Sequence, residues 1–111
     1  VIGLEARMIR ISAPDTAEMG EIVELKAMIQ HPMETGYRRD AKGEVIPRDI
    51  IKQFKCTYDG NAVFEATFFP GIAANPFLAF CLRATRSGPI EFSWTDQHGE
   101  TWSETRQLTV S

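Results

Sequence analysis

The feature that most constrains the fold of this chain is a two-residue alternation of apolar and polar side chains, which recurs in short segments along its length. Every odd position between residues 23 and 29 is apolar, and so is every even position between 90 and 95. Successive side chains of a β-strand point to opposite faces, so this period is typical of strands with one buried face. No segment shows the 3.6-residue period of an amphipathic helix. The alternation therefore predicts an all-β protein.

Turn-forming residues separate the alternating segments. Asp59-Gly60 predicts a tight hairpin turn, and the segments DAKG at 40–43 and DQHG at 96–99 predict two further turns. A chain of 111 residues is long enough for one core but short for two domains. We therefore expect a single domain over residues 1–111, an immunoglobulin-like antiparallel β-sandwich of about seven strands. The predicted strands span residues 9–11, 23–29, 50–58, 63–69, 77–85, 90–95 and 102–110.

The segment 77–85 departs from simple alternation because both of its faces are apolar. Phe80 and its neighbours at even positions are predicted to face the core, whereas Phe77, Ala79 and Cys81 face the other way. Two interpretations remain open, a loop of the same chain that covers this second face or a protein partner that binds there. Val63 and Phe69 are also apolar at predicted outward positions, and they favour the interpretation that a protein partner binds there. The inward aromatic residues expected to close the two sheets over each other are Phe54, Phe64, Phe80 and Trp94.

The segment HPMETGYRRDAKGEVIPRDII, residues 31–51, is rich in the residue types that recognition surfaces favour. Its arginines and carboxylates are expected to form charge-assisted hydrogen bonds that make the loop rigid, which lowers the entropic cost of binding. An ordinary long connection is the alternative. We predict that the loop faces a protein partner. The residues predicted for the partner interface are His31, Met33, Tyr37, Arg38, Arg39, Arg48, Phe69, Phe77 and Ala79.

Charge and hydropathy exclude several classes of partner. The formal net charge is −3 and there is no basic tract, so the chain lacks the electrostatic signature of a protein that binds nucleic acid or anionic membranes. No apolar run approaches the roughly 20 residues needed to span a bilayer. The first residues, VIGLEARMIR, lack the apolar core of a signal peptide.

The titratable residues offer little for catalysis. The only histidines, His31 and His98, lie in predicted turns, and the carboxylates are scattered over turns and polar strand faces. We therefore expect no enzymatic activity, no cofactor and no metal site. The alternative is a small copper or redox domain, for which His31, Met33, His98 and either Cys56 or Cys81 supply the ligand types. Their spacing argues against it, because the GETWSE segment that follows His98 contains neither Cys nor Met.

The two cysteines are too few for a disulfide scaffold. Strand parity places Cys56 on the core face with Phe54 and Tyr58, and Cys81 on the opposite face of its own strand. A disulfide between them would require one strand to be in another register. Two free, mostly buried thiols are therefore expected, and the disulfide remains an open alternative.

Several segments together resemble the SoxZ family, the non-catalytic subunits of the SoxYZ sulfur carrier of bacterial thiosulfate oxidation. The residues that carry the resemblance are HPMETGYRRD at 31–40, VIPRDII at 45–51, FKCTYDGNAVFEA at 54–66, ANPFLAF at 74–80 and SWTDQHG at 93–99. They are spread over nearly the whole chain, and the first segment is the most specific.

The resemblance implies an immunoglobulin-like sandwich that pairs with SoxY, whose C-terminal arm bears the cysteine that carries sulfur intermediates. It also implies transient docking of the complex to other Sox enzymes, and a periplasmic location reached by export together with the partner. A generic adhesion module of the same fold is a further alternative, and the sequence leaves open whether the chain is a separate subunit or half of a SoxY–SoxZ fusion. A thiol within a strand cannot move between enzymes as one on a flexible terminus does.

Overall fold

The structure is a computed structural model that describes residues 7–111. Within these residues all regular elements are β-strands, and no helix is long and apolar enough to cross a membrane. The strands form two sheets that pack face to face, so the predicted all-β sandwich is confirmed. The eight strands are β1 (Ile9–Ser12), β2 (Thr16–Ala17), β3 (Ile22–Ile29), β4 (Ile51–Tyr58), β5 (Asn61–Thr67), β6 (Phe77–Arg83), β7 (Gly88–Asp96) and β8 (Thr101–Val110).

The two sheets differ in size. The small sheet has the strand order β1-β3-β6, and the large sheet has the order β2-β8-β7-β4-β5. Neighbouring strands are antiparallel except β2, which runs parallel to β8. The short strand β2 was not among the predicted strands, because two residues are too few to show an alternation. All seven predicted strands are present, with ends displaced by a few residues.

The predicted hairpin between β4 and β5 is present, with Tyr58 opposite Asn61 across the turn. Asp59 and Gly60 both have positive φ angles, 50° and 83°. A two-residue hairpin turn of this kind needs positive φ at both positions, a conformation that Asp tolerates and Gly adopts without steric cost. The local sequence thus fixes the register between the two strands.

Aromatic rings fill the space between the sheets, as predicted. The rings of Phe64 on β5 and Phe80 on β6 stack with their centroids 4.4 Å apart and so join the edges of the two sheets. Phe54 is fully buried, and its ring centroid lies 5.9 Å from that of Phe80 and 5.1 Å from that of the buried Trp94. Burial of each large apolar side chain stabilises the fold by about 1.5–3 kcal/mol. The core therefore holds the sheets together through β4, β5, β6 and β7.

A buried tyrosine ties β4 to the connection between β6 and β7. The hydroxyl of Tyr58 donates a hydrogen bond to the carbonyl of Arg86 and accepts from the backbone N–H groups of Thr85, at 3.2 Å, and Arg86, at 2.9 Å. Only 5% of Tyr58 is exposed. One side chain thus satisfies three backbone groups where the chain crosses from the small sheet to the large one.

Candidate protein-binding surface

The outer face of the small sheet carries apolar side chains that point away from the core. On β6, Phe77, Ala79 and Cys81 are all exposed, as the parity of the strand predicted. Phe77 lies opposite Met28 of β3 and Ala79 lies opposite Lys26. Phe77 keeps 59% of its surface exposed. The small sheet is therefore apolar on both faces near β6, and only one of them is covered by the large sheet.

A shallow groove of about 200 Å³ runs across this face. Phe77, Met28 and Arg10 lie in one row across the three strands that line it. Basic side chains border the apolar surface, with Arg10 on β1 and Arg83 at the end of β6 both exposed. Its lining residues are Arg10, Ile11, Ser12, Lys26, Met28 and Phe77.

The sequence left two explanations for the apolar outer face of β6. No loop within residues 7–111 buries Phe77, since most of its side chain remains accessible. Exposed aromatic surface of this kind next to charged residues is characteristic of protein interfaces. A covering loop is therefore not found among residues 7–111, and the partner interpretation stays a prediction.

Further exposed apolar residues lie in and near the connection between β5 and β6. Phe69 follows β5 and is 67% exposed, as its outward assignment predicted, and Ile72 in the connection is 42% exposed. The Ile72 N–H donates to the carbonyl of Phe69 at 3.4 Å, so the two residues share one turn. Val63 is 41% exposed but lies on the outer side of the large sheet. It does not belong to the outer face of the small sheet.

The connection between β3 and β4 contains a short hairpin. Arg39 pairs with Val45 in an antiparallel bridge, and the carboxylate of Asp40 accepts the N–H groups of Lys42 and Glu44 at the turn. The predicted DAKG turn is therefore present. Tyr37, next to the hairpin, is 87% exposed. The hairpin projects polar and aromatic side chains outward.

One of the charge pairs expected within this loop forms. Arg38 donates from Nε and Nη2 to both carboxylate oxygens of Glu34, with an Nε–Oε1 distance of 3.0 Å. This pairing lowers the pKa of Glu34 and raises the pKa of Arg38. Arg39 instead donates to the carbonyl of Gly43 at 2.8 Å. The loop is thus held by a mixture of ion pairing and backbone hydrogen bonds.

A glutamine that the sequence did not single out holds the base of the loop. The side chain of Gln97, in the turn between β7 and β8, accepts from Arg48 Nε at 3.1 Å and from the Ile50 N–H at 3.2 Å. It also donates to the Arg48 carbonyl at 2.9 Å. Gly36 has a φ of 91°, and a Cβ there would lie 3.2 Å from Arg48 Cβ, so a larger residue would disturb this junction.

Two residues predicted for the interface, His31 and Met33, lie in the interior instead. Their exposed fractions are 0% and 4%. His31 Nδ1 accepts the Met33 N–H at 3.0 Å, and the Ile51 N–H points to Met33 Sδ at 3.3 Å. The prediction that they contact a partner is wrong, because both side chains turn inward, where they support the loop and are inaccessible to a partner. Composition alone does not reveal that direction.

Asn75 fixes His31 from the connection between β5 and β6. Its side-chain oxygen accepts the His31 N–H at 2.9 Å, and its own N–H donates to the His31 carbonyl at 2.7 Å. Burial lowers the pKa of His31, an effect that the nearby Asp49 carboxylate opposes. The distance from His31 Nε2 to Asp49 Oδ1 is 3.4 Å. The neutral imidazole therefore acts as an internal support where the two loops meet.

The ligand set of the copper alternative is not assembled in the part of the chain that the structure describes. Cys56 is buried on β4 between the strands that carry Phe64 and Phe92, whereas Cys81 faces outward from the small sheet. His98 lies near Asp49 and Asp96, and neither cysteine belongs to that group. The two histidines therefore have carboxylates as neighbours where the copper alternative required a thiolate.

Both cysteines are free thiols, so the disulfide left open by the sequence is not formed. They lie in different sheets, and Cys56 faces the core while Cys81 faces outward, as strand parity indicated. The expectation that both thiols are mostly buried is wrong for Cys81, because nothing in residues 7–111 covers the outer side of β6 at this position. Burial raises the pKa of Cys56 to about 12. At neutral pH this thiol is protonated and enclosed, which makes it a core residue.

Comparison with solved structures shows that the same small β-sandwich fold occurs in superoxide reductases and in a sulfur carrier protein. It superimposes on the superoxide reductase (neelaredoxin) of Ignicoccus hospitalis with a TM-score of 0.69 and 17% identity, covering 93% of this chain and 80% of that one. A putative superoxide reductase of Thermotoga maritima superimposes with a TM-score of 0.71 and 18% identity, covering 93% of this chain and 85% of that one. The sulfur carrier protein SoxY of Chlorobium limicola f thiosulfatophilum superimposes with a TM-score of 0.65 and 16% identity, covering 93% of this chain and 78% of that one. At these identities the likeness shows the fold alone.

The family is shown by the sequence itself. The model of the family described as sulphur oxidation protein SoxZ matches residues 9–107, nearly the whole chain. The chain therefore belongs to the SoxZ family, as the resemblance of its segments predicted. Comparison with curated protein sequences finds no match.

Proposed function

We propose that this chain is the scaffold subunit of a sulfur-compound carrier and that it binds a SoxY-type protein through the outer face of its small sheet. The observation that carries the proposal is the uncovered apolar surface around Phe77, which is 59% exposed on a chain that belongs to a sulfur-oxidation family. A partner that covers this ring removes a large apolar area from water, and buried aromatic side chains dominate the energy of many interfaces.

The chemistry of the two thiols supports a scaffold role. Cys56 is buried and has a pKa raised to about 12, so it is a poor nucleophile at neutral pH. Cys81 is exposed but lies within β6, where the strand fixes its position. A thiol that visits several enzymes needs a mobile attachment. The sulfur-carrying cysteine is therefore assigned to the C-terminal arm of the partner.

The charges around the outer face indicate what the partner presents. Arg10, Lys26 and Arg83 border the apolar residues, with Glu24 as the acidic exception. A complementary surface has apolar side chains at its centre and carboxylates at its rim, which speeds encounter and fixes orientation. The hairpin with Tyr37 and Arg38 and the turn with Phe69 are assigned to the edge of the same interface or to docking of Sox enzymes. The complex is proposed to act in the periplasm after export together with its partner.

Co-purification followed by native mass measurement tests the proposal. The full chain mixed with a SoxY-type protein should give a stoichiometric heteromeric complex. After reaction with a thiosulfate-derived donor, the mass increase should appear on the partner only. A complex that fails to form, or an adduct on Cys81 or Cys56, would contradict the scaffold role.

The matched variants are Phe77→Asp and Val63→Asp. Both replace an exposed apolar side chain, 59% and 41% accessible, but Val63 lies on the outer side of the large sheet. We expect complex formation to be lost only in Phe77→Asp. Equal binding by both variants would contradict the assignment of the interface to the outer face. The scaffold role would still be tested separately by the mass measurement.

A further inference from the structure

Three side chains of types that can ligate metal ions converge where the loop from β3 to β4 meets the turn from β7 to β8. Asp49 comes from the end of the loop, Asp96 is the last residue of β7, and His98 follows in the turn. One ligand atom from each lies within 4.8 Å of the others. Asp49 and His98 are far apart in sequence, and Gln97 brings their segments together through its hydrogen bonds to the loop.

Within the described residues, no Lys or Arg side chain pairs with the carboxylates of this cluster. Asp96 is only 5% exposed, and its Oδ1 accepts the backbone N–H groups of His98 and Glu100 at 2.9 Å each. Among residues 7–111, no Lys or Arg nitrogen lies within 4.0 Å of either carboxylate, and the ion-pair contacts of Asp49 are to imidazoles alone. Two carboxylates held this close repel each other, and a bound cation removes the repulsion.

A buried polar side chain is aimed into the same cluster. His31 is fully buried, and its Nε2 has no hydrogen-bond partner although it lies 3.4 Å from Asp49 Oδ1. Its Nδ1 accepts the Met33 N–H, which leaves the proton of the neutral ring on Nε2, facing Asp49. His31 thus approaches Asp49 from the interior. His98, 57% exposed at its side chain, approaches from the solvent side.

We propose that Asp49, Asp96 and His98 bind one divalent transition-metal ion, with Zn²⁺ as the representative of the class. Carboxylate oxygens together with an imidazole nitrogen suit Zn²⁺ and its first-row neighbours, whereas Ca²⁺ and Mg²⁺ prefer oxygen ligands alone. Two carboxylates and one imidazole make three protein ligands, which leave the fourth position of a tetrahedral ion for water. The ion would join the loop to the β7–β8 turn and so fix the loop that carries Tyr37 and Arg38. The proposal is independent of the partner-binding role.

Titration calorimetry with zinc chloride tests the site on the full chain after chelator treatment and dialysis. The Cys81→Ser background removes the exposed thiol, which is itself a zinc ligand. We expect one ion per chain, and a rise in the melting temperature with added Zn²⁺, because an ion that binds only the folded state stabilises it. Magnesium chloride should give neither effect.

The decisive comparison is between His98→Ala and Glu100→Gln. His98 is exposed, so its removal leaves the core intact, and the loss of a ligand should weaken Zn²⁺ binding by about tenfold or more. Glu100 is an exposed acid of the same turn outside the cluster, and its variant should bind as the background does. Absence of saturable one-to-one binding, or equal affinity of His98→Ala and the background, would overturn the proposal. Asp49→Asn should repeat the His98→Ala result, and unchanged binding there would overturn it as well.

Discussion

The two outer faces of the sandwich differ in chemistry. The outer face of the large sheet is polar along its central strands, where Lys55, Ser93 and Ser103 lie side by side in register. On the outer face of the small sheet, β6 presents Phe77 and Ala79, whereas β3 beside it presents Lys26 and Glu24. An antiparallel sheet that faces water alternates apolar and polar residues. The central strands of the large sheet follow this rule, whereas β6 of the small sheet breaks it, and the proposed partner surface rests on this difference.

The largest effect expected from this comparison is the loss of partner binding in Phe77→Asp. A charge at the centre of a buried apolar surface should weaken binding of the SoxY-type partner by about 30-fold or more. The same change on the other face, Ser103→Asp, should leave the affinity unchanged. Calorimetry of both variants with the partner makes the measurement. Comparable losses in the two variants would mean that the contrast between the faces does not reflect binding.

A substitution in the protein interior should lower stability and leave partner affinity unchanged, the reverse of the result expected for Phe77→Asp. Tyr58→Phe removes the hydroxyl that serves three backbone groups, so it should lower the free energy of unfolding by about 1–3 kcal/mol. Partner affinity should not change, because Tyr58 is 5% exposed. Tyr37→Phe makes the same chemical change at a residue that is 87% exposed and should leave stability nearly constant. Chemical denaturation distinguishes these outcomes, and equal stability of both variants would refute the role of the Tyr58 hydroxyl.

The smallest effect on partner binding is expected for charged residues at the rim of the proposed interface. Arg38→Glu breaks the ion pair with Glu34 and reverses an exposed charge, so it should slow association with the partner by a factor of a few and the effect should fade in high salt. Lys55→Glu makes the same change of charge on the polar outer face and serves as the control. Stopped-flow measurement gives both rates. If Lys55→Glu slowed association as much, Arg38 would have no specific place in the interface.

The sequence predicted the features that depend on local rules. Period-two alternation located seven strands, and Asp59-Gly60 located a hairpin, because parity and turn geometry are set by adjacent residues. Parity also placed Phe77 outward and Cys56 inward. The match of residues 9–107 to the SoxZ family agrees with the resemblance of the quoted segments.

Contacts between segments that are distant in the sequence could not be predicted from these local patterns. The 31–51 segment has no period, so nothing in it showed that His31 turns inward or that Gln97 anchors its base. The approach of Asp49 to His98 likewise depends on how a loop folds onto a distant turn. A glutamine two residues from a turn glycine has no distinguishing sequence signal, and its role follows only from the tertiary structure.

Thiol labelling of Cys81 tests the central claim most directly, because this exposed thiol lies on the outer face of the small sheet and Cys56 provides a buried internal control. With the free chain, maleimide should modify Cys81 rapidly and Cys56 only on unfolding, since the Cys56 thiol has a pKa near 12. With the partner bound, the mass of this chain should show that Cys81 is protected. Unchanged labelling of Cys81 in a verified complex would contradict the assignment of the partner to this face.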